Sequence, residues 1–168
     1  KSGCERGNRH NCQSSKENTM TIKTFKGLIT EASQTSIKLS TNNGLTGYKI
    51  KKFLLFPHNP GFTTNYEAVV QIFSGEQTGT IPSSGATVSF NDPTLLAAAY
   101  YIADTSHAND SSLDVVFDNV VFNQDIYITY TDNEASASSI NYYLELERIK
   151  LDLNEATVAT LKDMRAGP

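Results

Sequence analysis

The chain has 168 residues, of which 39% are hydrophobic and 19% are charged. This length fits one domain of ordinary size. Its 14 Lys and Arg are outnumbered by 18 Asp and Glu, for a formal net charge of -4. The sequence therefore predicts no general nucleic-acid partner, because coating phosphates requires an excess of basic side chains. Since no apolar run approaches the roughly 20 residues that cross a bilayer, it predicts no membrane partner either.

Residues 1–19 are polar and basic and differ in character from the rest of the chain. The segment has no large apolar side chain, so it cannot contribute to a core. We consider two interpretations: an arm that becomes ordered against a partner, or residues that precede a natural start at Met20. In the first interpretation, the cations are candidate partner-binding residues, and they are Lys1, Arg6, Arg9 and Lys16.

Both cysteines of the chain, Cys4 and Cys12, lie in this segment, close to His10. Thiolates and imidazoles bind zinc, but three ligands are one short of a closed tetrahedral site. The sequence therefore predicts no metal site, and it favours two free thiols over a disulfide within the segment. Because no cysteine follows Met20, we expect a fold that does not depend on an oxidising compartment.

From Met20 onward, short alternating segments separated by Gly, Asn, Ser and Pro predict strands and turns. A proline-containing turn at residues 91–94 is predicted to lead into a strand that ends at Ala103. Residues 53–56 are entirely apolar and are predicted to be buried on both sides. The other predicted strands are residues 21–29, 35–40, 48–56, 66–73, 86–90, 113–117, 126–130 and 140–146.

The last of these strands has the clearest alternation. Its even-numbered side chains, Ile140, Tyr142, Leu144 and Leu146, are predicted to face the core. The odd-numbered side chains, from Asn141 to Glu147, are predicted to face the other way. About eight strands without βαβ alternation predict an all-β fold, a two-sheet antiparallel sandwich with jelly-roll connectivity.

The period changes at the C-terminus, where a short helix is predicted. Asn154 is predicted to cap a helix over residues 155–165. Val158, Leu161 and Met164 recur at intervals of three and are predicted to form its apolar face. Because so short a helix is not stable alone, we expect this face to pack on its own sheet or on a partner. The predicted organisation is an arm (1–19), a β-sandwich domain (20–153), and a C-terminal helix and tail (154–168).

The sequence does not indicate an enzyme. It contains no nucleophile elbow, zinc-protease motif, phosphate-binding loop or dinucleotide-binding pattern, and it predicts no cofactor. Glu145 and Glu147 have the spacing of paired carboxylates on one strand face, as glycoside hydrolysis requires. We favour a solvated face, with these acids paired to Arg148 or Lys150. Loops 104–110 and 131–134 are rich in oxygen ligands but lack the spacing of a calcium loop, so no calcium site is predicted.

Four stretches of the sequence carry a family resemblance. Residues 121–130, 141–147 and 151–165, together with the opening at residues 20–27, resemble small structural proteins of marine tailed phages. The resemblance spans residues 20–165, and residues 1–19 depart from the start of those proteins. It implies a virion component, above all a capsid decoration (cement) protein on the capsid surface. The implied partners are the major capsid protein and further copies of the chain.

A cement protein holds a repeating lattice by many modest contacts, since multivalent attachment raises apparent affinity. We expect the arm or the C-terminal helix to make these contacts, with symmetric self-association. The alternative is a carbohydrate- or receptor-binding sandwich of a fibre or tail, which would use loops 57–64 and 104–110. An enzyme is the third interpretation.

Overall fold

A computed structural model describes residues 21–39, 44–60, 65–103, 111–134 and 138–166, with side chains to Lys162. The predicted arm, its two cysteines and loop 104–110 lie outside these residues. The described part forms eight strands and one helix. They are β1 (Thr21–Ile29), β2 (Ser33–Ile37), β3 (Thr46–Pro57), β4 (Tyr66–Phe73), β5 (Leu95–Ala103), β6 (Ser111–Val116), β7 (Ile126–Asp132), β8 (Ile140–Lys150) and α1 (Leu153–Ala166).

The strands form two antiparallel sheets that enclose one main core, which confirms the predicted sandwich. One sheet has three strands in the order β1-β8-β3, and the other has five in the order β2-β7-β4-β5-β6. A jelly roll is a long hairpin wrapped into two sheets, so its strands pair first with last and then inward. The pairs β1–β8, β2–β7 and β4–β5 follow this scheme, but β6 pairs with β5 and not with β3. The jelly-roll connectivity is therefore not confirmed.

The central strand of the smaller sheet has the predicted alternation. Ile140, Tyr142, Leu144 and Leu146 are buried, and the residues between them are only half-buried. Phe25 of β1 and Phe53 of β3 lie on either side of Leu144, which places it at the centre of the core side. Gly27 faces Tyr142, and a Cβ there would lie 2.8 Å from the tyrosine hydroxyl and 2.9–3.0 Å from two ring carbons, so the absence of a side chain leaves room for the tyrosine.

Residues 86–90 do not form the predicted strand, and Val88 and Phe90 are exposed. They belong to a long loop, residues 74–94, that is held against the outer face of the five-stranded sheet by side chains. Gln71 donates to the carbonyl of Thr87 at 3.0 Å, and Asn133 accepts from the amide of Ala86 at 3.0 Å. The apolar side chains of residues 86–90 alternate as in a strand, but no neighbouring strand pairs with this segment. It is held instead by hydrogen bonds to the side-chain amides of Gln71 and Asn133.

The C-terminal part of β3 also differs from the prediction. Residues 53–56 were expected to be buried on both sides, but Leu54 and Phe56 are exposed on the outer side of the three-stranded sheet. Only Phe53 is fully buried, and Leu55 is half-buried against the core. An apolar run thus marks a strand with one buried face and one exposed apolar face.

Helix α1 begins two residues earlier than predicted, at Leu153, and Asp152 is its cap. The Asp152 carboxylate accepts from the Glu155 amide at 2.8 Å, and Glu155 accepts from the Asp152 amide at 3.0 Å. This reciprocal pair is a capping box, which satisfies two backbone donors at the start of the helix. The prediction that Asn154 is the cap is wrong, because Asn154 lies inside the helix.

Candidate interaction surfaces

The positive charge of the protein is concentrated on the three-stranded sheet. Its strands contain two acids, Glu145 and Glu147, against seven cations, a net +5 in a chain whose total is -4. The strands of the five-stranded sheet contain three acids and no Lys or Arg. The two layers of the sandwich therefore have opposite charge. The seven cations are Lys23, Lys26, Lys49, Lys51, Lys52, Arg148 and Lys150.

Strand register places part of this charge on one surface, which we call the open face. It consists of the side chains that point away from the core on β1, β8 and β3. Four cross-strand rows build it: Leu28, Asn141 and Phe56; Lys26, Tyr143 and Leu54; Thr24, Glu145 and Lys52; and Ile22, Glu147 and Lys49.

One end of the open face is apolar. Phe56 is 62% exposed, Leu28 46% and Leu54 40%. These three side chains lie in two neighbouring rows, beside the half-buried Tyr143. Contiguous apolar side chains bordered by polar ones are typical of an interaction site, whereas scattered single ones are not.

The other end of the open face carries acids that are paired within the face, beside Ile22, which is 45% exposed. Glu147 forms an ion pair with Lys51 at 3.5 Å, and Lys51 reaches it through an irregularity in the β3 register after Ile50. Tyr143 donates to Glu145 at 2.8 Å, and this hydrogen bond raises the pKa of the tyrosine. The predicted pairing of these acids with Arg148 or Lys150 is replaced by contacts with Lys51 and Tyr143.

The second candidate surface is α1, which packs on the end of the same sheet. Ala156 and Ala159 are its buried residues, and they contact a small cluster formed by Leu45, Val121, Ile149 and Leu151. Gly47 allows this close packing, because a Cβ there would lie 2.9 Å from Val121 and 3.0 Å from Leu151. The helix is thus attached through its small side chains.

A buried amide fastens the helix to the body. Asn123 is fully buried, and its Nδ2 lies 2.9 Å from the hydroxyl of Thr160 and 3.3 Å from the carbonyl of Ala156. The same nitrogen lies 3.2 Å from the carbonyl of Gly44, at the start of the segment that enters β3. Asn123 therefore joins three parts of the chain. It is not identifiable from the sequence, because an asparagine in a loop belongs to no motif or periodic pattern that would predict burial.

The larger apolar side chains of α1 are exposed: Leu153 at 75%, Val158 at 53% and Leu161 at 47%. Val158 and Leu161 therefore do not pack on the protein's own sheet, and of the two expected positions for their face, contact with a partner stays a prediction. Met164, the third predicted member, has a side chain outside the described part. The small side chains Ala156 and Ala159, and not these larger ones, belong to the cluster against which Leu45, Val121 and Ile149 pack.

Two grooves flank the helix. One has a volume of about 500 Å³ and lies between α1 and residues 119–121, with Val158 on its rim and Leu151 among its lining residues. The other has a volume of about 290 Å³ and lies between α1 and Leu45, with Leu161 on its rim. Val158 and Leu161 therefore line different grooves, although their spacing of three residues makes them neighbours on the helix surface.

A scan of protein-family models and a search of curated proteins returned no match to this chain. Within the described ranges, no three His, Cys, Asp or Glu residues are grouped so that they could hold a metal ion. The part of the chain that is described also contains no helix with the length and apolar character to span a membrane.

Proposed function

We propose that the protein is a structural component of a phage virion, a capsid decoration protein that binds the major capsid protein through its open face. The observation that carries the proposal is the open face itself, an exposed surface with an apolar end on the basic layer of an otherwise acidic molecule. The resemblance of residues 20–165 to phage structural proteins supports the same class.

The composition of the open face defines the partner surface. Its lysines favour an acidic partner, and complementary charge speeds encounter and selects orientation. Phe56, Leu54 and Leu28 supply apolar area, which contributes most of the affinity once water is excluded. The partner is therefore a protein surface with exposed apolar side chains beside carboxylates. The acidic five-stranded sheet then faces away from the capsid.

The sandwich presents this face rigidly. The open face lies directly over core residues such as Phe53, Leu144 and Leu146, which are fully buried. A surface that does not reorganise loses little conformational entropy on binding. Even a modest contact is then sufficient on a capsid, where many copies bind equivalent lattice positions.

Two exposed phenylalanines on opposite layers test the proposal. Capsids freed of the protein would be incubated with the wild type, Phe56→Ser or Phe90→Ser, and occupancy would be measured by sedimentation and gel densitometry. Phe56 is 62% and Phe90 is 59% exposed, so the two variants lose similar exposed surface. We expect Phe56→Ser to lower capsid occupancy and Phe90→Ser to leave it unchanged.

A charge reversal complements this pair. Lys26→Glu with Lys52→Glu should weaken capsid binding, and salt should weaken wild-type binding because exposed charges are screened. Equal occupancy for Phe56→Ser and the wild type would contradict the role of the open face. Binding to host-surface glycans without binding to capsids would instead support the carbohydrate- or receptor-binding alternative.

A further inference from the structure

One side of α1 is complementary to itself. Glu155, Val158 and Lys162 all line the larger groove, and their spacing of three and four residues places them on one side of the helix. The side chains are in the order acid, apolar, base along the helix axis. In an antiparallel second copy, the same side chains run in the order base, apolar, acid. Each acid then lies opposite a base of the other helix, and the two apolar side chains lie near each other.

The match pairs particular residues of the two helices. If two copies of α1 lie antiparallel about a twofold axis between Val158 and Ala159, Glu155 of one copy faces Lys162 of the other. The pair occurs twice, as an isologous interface requires. The two valines then lie beside the axis, each at the mouth of the partner's groove.

The groove has the shape and composition to receive a valine. Its volume is about 500 Å³, and Val120, Val121 and Leu151 are among its lining residues. Val158 is 53% exposed. A β-branched residue has a low helix propensity, so a valine at this position does not stabilise the helix itself. Glu155 remains able to accept an intermolecular contact, because the capping box uses only its Oε2.

We propose that the larger groove beside α1 is a self-association site that binds α1 of a second copy in antiparallel orientation. The inference rests on the described residues of α1 and residues 119–121, and it does not depend on the proposed capsid role. One helix pair places the contact at the small end of specific interfaces, below about 1,200 Å² in total. We therefore expect a weak dimer that forms with rising protein concentration.

Charge swaps test the contact. Glu155→Lys and Lys162→Glu each place like charges opposite one another in a homodimer, so each variant alone should dimerise about tenfold more weakly than the wild type. Mixed in equal amounts, they form a heterodimer in which both facing pairs are again opposite. Sedimentation equilibrium over a wide concentration range should therefore show dimers in the mixture but not in either variant alone.

Three controls separate the contact from net charge and from folding. Glu76→Lys makes the same charge change at an exposed loop position and should leave dimerisation unchanged. Glu155→Gln keeps a side chain that completes the capping box, and it should weaken dimerisation less than Glu155→Lys. Val158→Asp leaves the cap intact and should abolish dimerisation without loss of helical circular dichroism.

The proposal fails under any of three results. A wild type that remains monomeric at all concentrations overturns it. So does dimerisation that persists in Val158→Asp, because that valine lies at the axis. Failure of the mixed variants to associate while each retains its helix overturns the antiparallel arrangement, since the restored charge pairs are its direct consequence.

Discussion

The two sheets of the sandwich share one core but differ on their outer faces. The five-stranded sheet is covered by the loop of residues 74–94, and Val69, Thr129 and Thr131 beneath it are buried. Among the residues that the structure describes, none covers Leu28, Leu54 and Phe56 of the three-stranded sheet in this way. The difference shows that side chains on a sheet's outer face are either buried under the chain's own loop or left exposed.

The core beneath the open face should be far more sensitive to substitution than the face itself. Leu144→Ala removes a fully buried side chain between Phe25 and Phe53 and should lower the free energy of unfolding by about 2–5 kcal/mol. Leu54→Ala, on the next row of the opposite side, should cost less than about 1.5 kcal/mol, because that side chain is partly exposed. Urea denaturation measures both, and equal losses would show that the open face is buried in solution.

Alkaline pH should destabilise the five-stranded sheet through its buried tyrosines. Tyr66 and Tyr130 have hydroxyls 3.2 Å apart in the core, and burial raises the pKa of Tyr66 to about 12 and that of Tyr130 as well. Because the folded state holds these protons more tightly than the unfolded state, stability is full below about pH 10.

The contribution of Tyr66 should be lost as the pH rises from about 10 to about 12, at a cost of roughly 2–3 kcal/mol. Chemical denaturation at stepped pH measures it, and Tyr66→Phe is the control that should flatten part of the dependence. Tyr143 lies on the open face outside the core, so its ionisation should not contribute to this loss of stability. A stability that stays constant to pH 12 would contradict the buried hydroxyl pair.

The close packing of α1 depends on Gly47. Gly47→Ala would place a methyl group 2.9 Å from Val121 and 3.0 Å from Leu151, so the helix or the loop must move, at a cost of about 1–3 kcal/mol. Gly79→Ala is the matched control, since nothing lies within 4 Å of its Cβ position. Hydrogen exchange of α1 amides should accelerate in Gly47→Ala only, and unchanged exchange would mean that the helix is held elsewhere.

Period-two alternation was sufficient to locate most strands from the sequence. It defined β1 and β4 to the residue and the two faces of β8, because each of these strands has one side against the core. It failed at residues 86–90, where Val88 and Phe90 alternate but no neighbouring strand pairs with them. A segment forms a strand only where its backbone hydrogen-bonds to a neighbouring strand. That neighbour is distant in sequence, so the local pattern of side chains does not predict the pairing.

The candidate surfaces were less predictable than the strands. The separation of charge between the sheets depends on which strands are neighbours. The seven cations lie far apart in the sequence, and they form one basic layer only because β1, β3 and β8 belong to the same sheet. The sequence predicted Val158 and Leu161 as the apolar face of α1 but left open whether that face meets the sheet or a partner, and only the structure shows that Ala156 and Ala159 are the side chains packed on the body. The anchor residue, Asn123, is recognisable only from its contacts with Gly44, Ala156 and Thr160.

The smallest expected effect on stability is that of a charge on the open face. Lys52→Ala should change the free energy of unfolding by less than about 0.5 kcal/mol, because an exposed lysine opposite Glu145 contributes little in high dielectric. The same change should weaken capsid binding and make the remaining binding less sensitive to salt, since one screened charge has been removed.

Lys38→Ala is the matched control on the other layer: Lys38 pairs with Asp125 at 3.0 Å and is also exposed. If the two variants lose capsid binding equally, the basic layer has no special role and net charge alone attracts the partner. If only Lys52→Ala loses capsid binding while both variants remain as stable as the wild type, the open face contributes to binding and not to the stability of the fold.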